Sequence, residues 1–114
     1  MEYMTVYRMN DGSSVGLSMN YGLLLKLRSK APKLYSSYNA AQLKISKQED
    51  IELGQAQIIY TGYVCAHLHD HDNLKGALSL VEFFCAMNQD RQYNASITNE
   101  IYSPNHKMAS AKRS

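Results

Sequence analysis

The stretch AQIIYTGYVCAHL, residues 56–68, is the longest apolar segment of this 114-residue chain, and the rest of the fold has to cover it. Apolar or small side chains leave little polar face in its second half: Ile58, Ile59, Gly62, Val64, Cys65 and Ala66. A helix that is apolar nearly all round is buried. We therefore predict a central helix, opening within SKQEDIE at 46–52, that is covered either by its own domain or by a partner.

Small and sulfur-containing residues in this part of the chain raise two further questions. Gly54 and Gly62 each cost about 1 kcal/mol in a helix relative to alanine, so they indicate either a close approach of neighbouring elements or a bend. Cys65 and Cys85 both lie in apolar helical stretches. We interpret them as two buried thiols of a protein in a reducing compartment.

Two shorter helices precede the central one. Asn20 is the candidate N-cap of YGLLLKLRSK, residues 21–30. Pro32 ends that helix and suits the first turn of the next, PKLYSSYNAAQLKI, residues 32–45. Both segments have leucine, tyrosine or isoleucine at helical spacing, which predicts that each buries one face.

The chain begins with a candidate β-hairpin. YMTVYRM at 3–9 and VGLSM at 15–19 flank NDGSS at 10–14, whose Asp-Gly pair supplies the positive φ of a tight turn. Alternation predicts two opposite faces, one with Tyr3, Thr5 and Tyr7, the other with Met4, Val6 and Met9. A lone hairpin is marginal in water, so it must pack on the helices or pair with another chain.

Two helices follow the central one. Ser79 with Glu82 fits a capping box ahead of LVEFFCAMN, residues 80–88, and DRQYNASITNEIY at 90–102 has apolar residues at a spacing of four. The fold class predicted is mostly α with an N-terminal β-hairpin (α+β), a small domain of four to five helices. We place one domain at 1–102 and a disordered basic tail at 103–114.

Composition excludes several classes of function. The net charge of +2 is too balanced to indicate nucleic-acid binding. The N-terminus does not resemble a signal peptide, and no apolar run has the length of a membrane span, so we expect neither secretion nor a membrane partner. Lys26, Arg28, Lys30 and Lys33 form a basic group without interleaved aromatic residues, and we interpret it as a solvated helix face.

The histidine cluster is the one candidate metal site. His67, His69 and His71 lie in YVCAHLHDHDN, residues 63–73, and Asp70 and Asp72 accompany them. Zinc requires three or four converging ligands, and in a helix only His67 and His71 would share a face. We expect the helix to end near Leu68 and the cluster to be a loop. No phosphate loop or nucleophile elbow occurs, so we predict neither an enzyme nor a cofactor.

Three stretches together resemble a known family. They are NYGLLLKLRSKAPKLYSSYN, IIYTGYVCAHL and SLVEFFCAMNQDR, and they are similar to the tail assembly chaperones of long-tailed, siphovirus-type phages and prophages of Gram-positive bacteria. Leu34, Tyr35, Tyr38 and Asn39 match a "LYxxYN"-like helix. Tyr60, Thr61, Gly62, Tyr63 and Cys65 match a "YTAY"-like helix, with glycine in place of the more usual alanine. Glu82 and Phe83 match an "EEF"-like helix.

This resemblance implies a binding protein without chemistry. Such chaperones coat the tape measure protein, help the tail tube protein to assemble around it, and then depart. The resemblance therefore implies action in the cytoplasm of the bacterial host and absence from the mature virion. It places the histidine cluster in a variable loop, which favours a loop over a metal site.

Large amphipathic or aromatic side chains are the candidate client-binding residues: Tyr35, Tyr38, Tyr60, Tyr63, Phe83 and Phe84. The competing interpretation is that the tyrosines form the core. We also expect self-association, because a hairpin has an open edge and open edges pair. The alternative function is a small metal- or nucleic-acid-binding regulator that uses the cluster His67–Asp72.

Overall fold

The computed structural model describes residues 4–102 of the chain. Within them an N-terminal hairpin is followed by five helices, which confirms the predicted α+β class. The elements are β1 Met4–Arg8, β2 Ser14–Ser18, α1 Tyr21–Lys30, α2 Pro32–Ser46, α3 Ile51–His71, α4 Leu80–Ala86 and α5 Arg91–Tyr102. Tyr3 and the tail predicted at 103–114 lie outside the described residues.

The central helix α3 is buried by its own domain, which decides between the two interpretations of residues 56–68. The hairpin, α1, α2, α4 and α5 all pack against it. Between Ile58 and Leu68 every residue is buried except Tyr63 and His67, which are half-buried. The apolar character of this segment therefore serves the core of the chain itself.

Both glycines of α3 mark close approaches. A Cβ at Gly54 would lie 2.9 Å from Cγ1 of Ile45 on α2. A Cβ at Gly62 would lie 3.3 Å from Cβ of Leu17 on β2 and 3.4 Å from Cδ1 of Ile101 on α5. Glycine thus lets α2 and the hairpin reach the backbone of α3, and this is the packing reason for two residues of low helix propensity.

The hairpin pairs β1 with β2 in antiparallel register, with Thr5 opposite Leu17 and Tyr7 opposite Val15. Thr5, Tyr7 and Met9 are all buried, whereas the Val6 side chain is 64% exposed. The assignment of Met9 to the face of Val6 was wrong. Strict alternation puts positions 5, 7 and 9 on one side, and that side covers the helices.

The helix starts follow the predicted capping at two places. The Asn20 side chain accepts a hydrogen bond from the Leu23 N–H at 2.9 Å. Ser79 and Glu82 form the reciprocal pair of a capping box, at 3.2 Å and 2.9 Å. These bonds satisfy backbone donors that the first turn of a helix leaves unpaired.

α3 begins near the end of the predicted segment SKQEDIE. Residues 47–50 form a turn, so the helix begins at Ile51 and only Glu52 of the three acidic residues lies in its first turn. Gln48 and Asp50 have positive φ angles of 59° and 45°, and the Glu49 N–H donates to the Lys44 carbonyl at 2.8 Å. These residues end α2 and form a turn before α3. The acidic residues near a helix start predict the helix but not the turn that precedes it.

The two cysteines have different environments, so the prediction of two buried thiols was wrong for one. Cys65 is fully buried in α3, and burial raises the pKa of its thiol to about 12. Cys85 is exposed on α4. A seven-residue helix that buries Phe83 directs the position two residues later away from the core.

Candidate binding surfaces

Aromatic side chains from the hairpin and three helices meet in one buried cluster. Phe83 is fully buried at its centre, with ring centroids 4.9 Å from Tyr63 and 5.3 Å from Tyr60. Tyr7 stacks on Tyr93 at 5.5 Å and lies 6.2 Å from Phe83. These are ordinary distances for attractive aromatic pairs, so the cluster holds the hairpin to the helices.

The tyrosine hydroxyls of this cluster are used internally. The Tyr60 hydroxyl donates to the Leu78 carbonyl at 2.9 Å, and the Tyr63 hydroxyl accepts from the Leu78 N–H at 2.8 Å. Burial, and after it the nearby Tyr63 and Glu82, raises the pKa of Tyr60. Both side chains therefore fix the segment that leads into α4.

The six predicted client-binding residues accordingly fall into two groups. Tyr38, Tyr60 and Phe83 are buried, and Tyr63 is half-buried within the aromatic cluster. They do not come together on a surface in this conformation, which favours the competing interpretation that tyrosines form the core. Tyr35 and Phe84 are half-buried, and each lines an open groove. The two grooves are separate.

The groove at Phe84 consists of two adjoining hollows of about 300 and 290 Å³. We call it the Phe84 groove, because Phe84 and Leu53 line both hollows. The first lies between α3, α4 and the start of α5, and includes Ala56 and Met87. The second lies between α2 and the start of α3, and includes Gly54. Leu53 is 63% exposed at their boundary.

The rim of the Phe84 groove is polar, and its charges are paired within the chain. Nε of Arg91 lies 2.8 Å from a carboxylate oxygen of Glu52. Nζ of Lys44 lies 3.5 Å from a carboxylate oxygen of Asp50. An apolar floor with an electrically balanced rim suits apolar side chains of a partner rather than a small charged ligand.

A second groove lies on the outer side of α1 and α2, and we call it the Tyr35 groove. It is a hollow of about 270 Å³ lined by Tyr21, Leu24, Leu25, Arg28, Tyr35, Tyr38, Asn39 and Gln42. The guanidinium carbon of Arg28 lies 5.9 Å from the centroid of the Tyr35 ring, at cation–π distance. Lys26, Arg28, Lys30 and Lys33 are all exposed, as a solvated helix face requires, and the fold adds an aromatic contact between helices that the sequence spacing does not show.

The histidine cluster is helical rather than a loop, so the predicted helix end near Leu68 was wrong. α3 continues to His71, and Asp72 caps it with a φ of 59° while its N–H donates to the Leu68 carbonyl at 2.8 Å. Lys26 pairs with Asp72 at 2.5 Å, and that hydrogen bond lowers the pKa of the Asp72 carboxyl. The ion pair joins the end of α3 to α1.

The three histidines do not converge. His67 and His71 share a face, with ring centroids 4.5 Å apart, as their spacing of four predicts. Nε2 of His67 lies 2.8 Å from the Lys75 carbonyl oxygen. His69 points elsewhere and pairs with Asp70 at 3.1 Å. No group of three or more His, Cys, Asp or Glu side chains capable of holding a metal ion occurs within residues 4–102.

Sequence reasoning missed the residues that open both grooves. Leu53, Tyr21 and Leu25 are large apolar side chains with exposed fractions of 63%, 83% and 59%. Each lies off the buried stripe of its helix, and an apolar residue outside that stripe was the signal that could have identified it. The signal can be used only once the start of α3 and the packing of α1 on α2 are known.

Within the described part of the chain, no helix combines the length and the apolar character needed to cross a bilayer. Comparisons with family models, with curated proteins and with solved structures found no match to this chain.

Proposed function

We propose that this protein is a non-catalytic tail assembly chaperone of a long-tailed phage or prophage. It binds the tape measure protein and helps to recruit tail tube subunits. It acts in the cytoplasm of the bacterial host and is absent from the mature virion. The support is the resemblance of its three helical stretches to that family.

The observation that carries the proposal is the Phe84 groove. A chaperone of a helical client needs an exposed apolar surface, and the second half of α3 cannot provide one because its own domain buries it. The first half of α3 does provide one. Leu53 stands between two hollows, Phe84 lines both, and Val81 on α4 is 69% exposed.

The shape of this groove suits temporary binding. Two shallow, open hollows can each take one apolar side chain of a client helix, as in other helix-in-groove interactions. A deep pocket would hold the client too tightly for a protein that must later give way to the tube subunits. Many copies, each with moderate affinity, would coat a long client and remain displaceable.

Coating a long client also requires neighbouring copies, so we propose self-association through the hairpin. Val6 lies in the middle of β1, exposed to 64%. The Arg8 end of that strand is occupied, since its N–H donates to the Tyr93 hydroxyl at 2.8 Å. We expect the mass in sedimentation to rise with concentration and Val6→Lys to reduce the rise. A monomeric mass at high micromolar concentration contradicts this proposal.

Co-expression with the tape measure protein of the same gene cluster tests the function. We expect the wild-type chain to raise the soluble fraction of that client and to elute with it in gel filtration. The variant Leu53→Ser with Phe84→Ser should lose both effects, because it removes the apolar ridge between the hollows. An unchanged client solubility with no complex refutes the chaperone function.

A matched control separates loss of the groove from loss of the fold. Leu43→Ser removes a leucine of similar exposure, 57% against 63% for Leu53, from outside the residues that line the two hollows. This variant should raise the soluble fraction of the client as much as the wild type does. An equal loss of client solubility in both variants would show that the effect is not specific to one surface, and it would contradict the Phe84 groove as the client site.

A further inference from the structure

The charges of the chain are divided unevenly along its length. Residues 13–48, which contain β2, α1 and α2, have six basic and no acidic side chains: Lys26, Arg28, Lys30, Lys33, Lys44 and Lys47. Residues 49–102 have eight acidic side chains and two lysines or arginines. Lys26 and Lys44 pair with Asp72 and Asp50 from the second part, and the other four basic side chains leave α1 and α2 with a positive balance.

The Tyr35 groove opens on this positive pair. Along α1, Tyr21, Leu25 and Arg28 follow one another at spacings of four and three, so they form one stripe on the helix surface. The first two are among the most exposed large apolar side chains of the described residues. Arg28 lies at the end of the stripe, over the Tyr35 ring.

The Tyr35 groove and the Phe84 groove are independent surfaces. Tyr35, Asn39 and Gln42 of α2 line the first, whereas Ser37, Ala40 and Lys44 line the second. At 100° per residue these two sets point to opposite sides of the helix. A partner in the Tyr35 groove can therefore bind whether or not a client occupies the Phe84 groove.

We infer that the Tyr35 groove binds an acidic amphipathic helix of a partner protein. The apolar face of that helix would lie between Tyr21 and Tyr35, and its acidic flank would meet Arg28. Two neighbouring helices with an open apolar groove between them can be completed by a third helix, which is a common mode of recognition. Beyond Lys26 and Lys44, which are paired, the remaining basic side chains of α1 and α2 make the surrounding field favour a negative partner.

A second copy of the chain fits this groove less well. Val81 accompanies Glu82 at the start of α4, but that carboxylate caps its own helix. At the start of α3, Leu53 and Ile51 accompany Asp50 and Glu52. Those two carboxylates are already paired with Lys44 and Arg91 in their own chain. A docking helix would have to break these pairs before it could contact Arg28, so a separate partner is favoured.

A synthetic peptide tests the inference. The probe is a helix of about 20 residues, with leucines on one face and glutamates on the other, labelled for fluorescence anisotropy. One control peptide has lysine in place of every glutamate, and another has the same composition in scrambled order. We expect binding of the acidic helix alone, weakened several-fold when salt is raised from about 50 to 300 mM.

Matched variants locate the site. Arg28→Glu should weaken the peptide about tenfold or more, and Tyr21→Ala should weaken it several-fold. Lys33→Glu makes the same change in net charge on the far side of α2 and should alter affinity less than about twofold. Circular dichroism melting of each variant confirms that it folds, since all three residues are exposed.

Four results would overturn the inference. The first is binding of the scrambled or lysine peptide with the same affinity as the acidic helix. The second is an equal loss of peptide affinity in Arg28→Glu and Lys33→Glu. A third is tighter binding of a single-stranded uridine oligonucleotide, which would assign the aromatic and arginine side chains to nucleic acid. The fourth is displacement of a second copy by the peptide in sedimentation, which would assign the groove to self-association.

Discussion

The two halves of α3 differ in composition and in environment: residues 51–57 include one glutamate and two glutamines, whereas residues 58–68 are mostly apolar. Ile58 to Leu68 is enclosed by the hairpin and the other helices, whereas Ile51 to Gln57 leaves Leu53 exposed beside two hollows. The difference in exposure comes from what covers each half. α5 and the hairpin pack on the second half, whereas the surface of the first half between α2 and α4 stays open. The helix is therefore a scaffold where neighbours reach it, and the part that they leave open is the docking surface we propose.

Two neighbouring phenylalanines of α4 give the largest expected contrast. Phe83 is fully buried against the second half of α3, and Phe84 lines the groove beside the first half. We expect Phe83→Ala to lower the free energy of unfolding by about 3–5 kcal/mol. Phe84→Ala should lower it by about 1 kcal/mol, because less apolar area leaves the protein interior.

Urea unfolding followed by circular dichroism measures this contrast. Equal losses for the two variants would mean that Phe84 belongs to the core, and the distinction between the two regions would then fail. A large loss for Phe84→Ala together with a small loss for Phe83→Ala would contradict the arrangement of α4 itself.

The Tyr7 hydroxyl offers a second test of the enclosed region, where the hairpin packs on the helices. It donates to the Asn94 side chain at 2.7 Å and accepts from the Asn88 N–H at 3.0 Å. Tyr7→Phe leaves both groups without this partner, and we expect a loss of about 1–3 kcal/mol. Thermal melting at pH 7 measures the loss, and an unchanged midpoint would contradict a buried network there.

The same residue predicts a pH dependence. Burial raises the pKa of Tyr7 from 10.0 to about 12, while a neighbouring hydrogen bond from Asn88 opposes the rise. The folded state thus favours the protonated hydroxyl. That stability is fully present below pH 10 and is lost as pH rises toward 12. Tyr7→Phe should therefore lose less stability over this alkaline range than the wild type, although other groups also ionise there.

The smallest expected effect on stability is at the open end. Leu53→Ser removes a mostly exposed leucine and should change the free energy of unfolding by about 0.5 kcal/mol or less. Chemical denaturation of this variant beside Leu43→Ser is the measurement. A loss of several kcal/mol would show that Leu53 supports the fold, and its role as a docking residue would be withdrawn.

Element order followed from local patterns that one sequence displays. The Asp-Gly turn, the Asn20 cap, Pro32 and the Ser79–Glu82 box are short-range signals, and each acts where it was predicted. The burial of α3 followed from its composition, although composition could not say what buries it. That distinction needed the packing of five other elements.

The grooves depended on information that no local pattern contains. The predicted histidine loop was wrong because Asp72 in a left-handed conformation ends the helix one turn later than its apolar residues do. The exposure of Leu53 and Tyr21 depends on how the helices pack, and Arg28 meets Tyr35 across two helices. Four of the six predicted client-binding residues lie in the core because large aromatic side chains serve cores and interfaces alike.

Hydrogen exchange in the complex with the tape measure protein tests the central claim most directly. We expect amides of residues 51–57 and 80–88 to exchange more slowly when the client is bound, because the Phe84 groove becomes covered. Amides of residues 58–68 should not change, since their own domain already protects them. Protection confined to α1 and α2, or a complex that leaves 51–57 and 80–88 unchanged, would contradict client binding at the Phe84 groove.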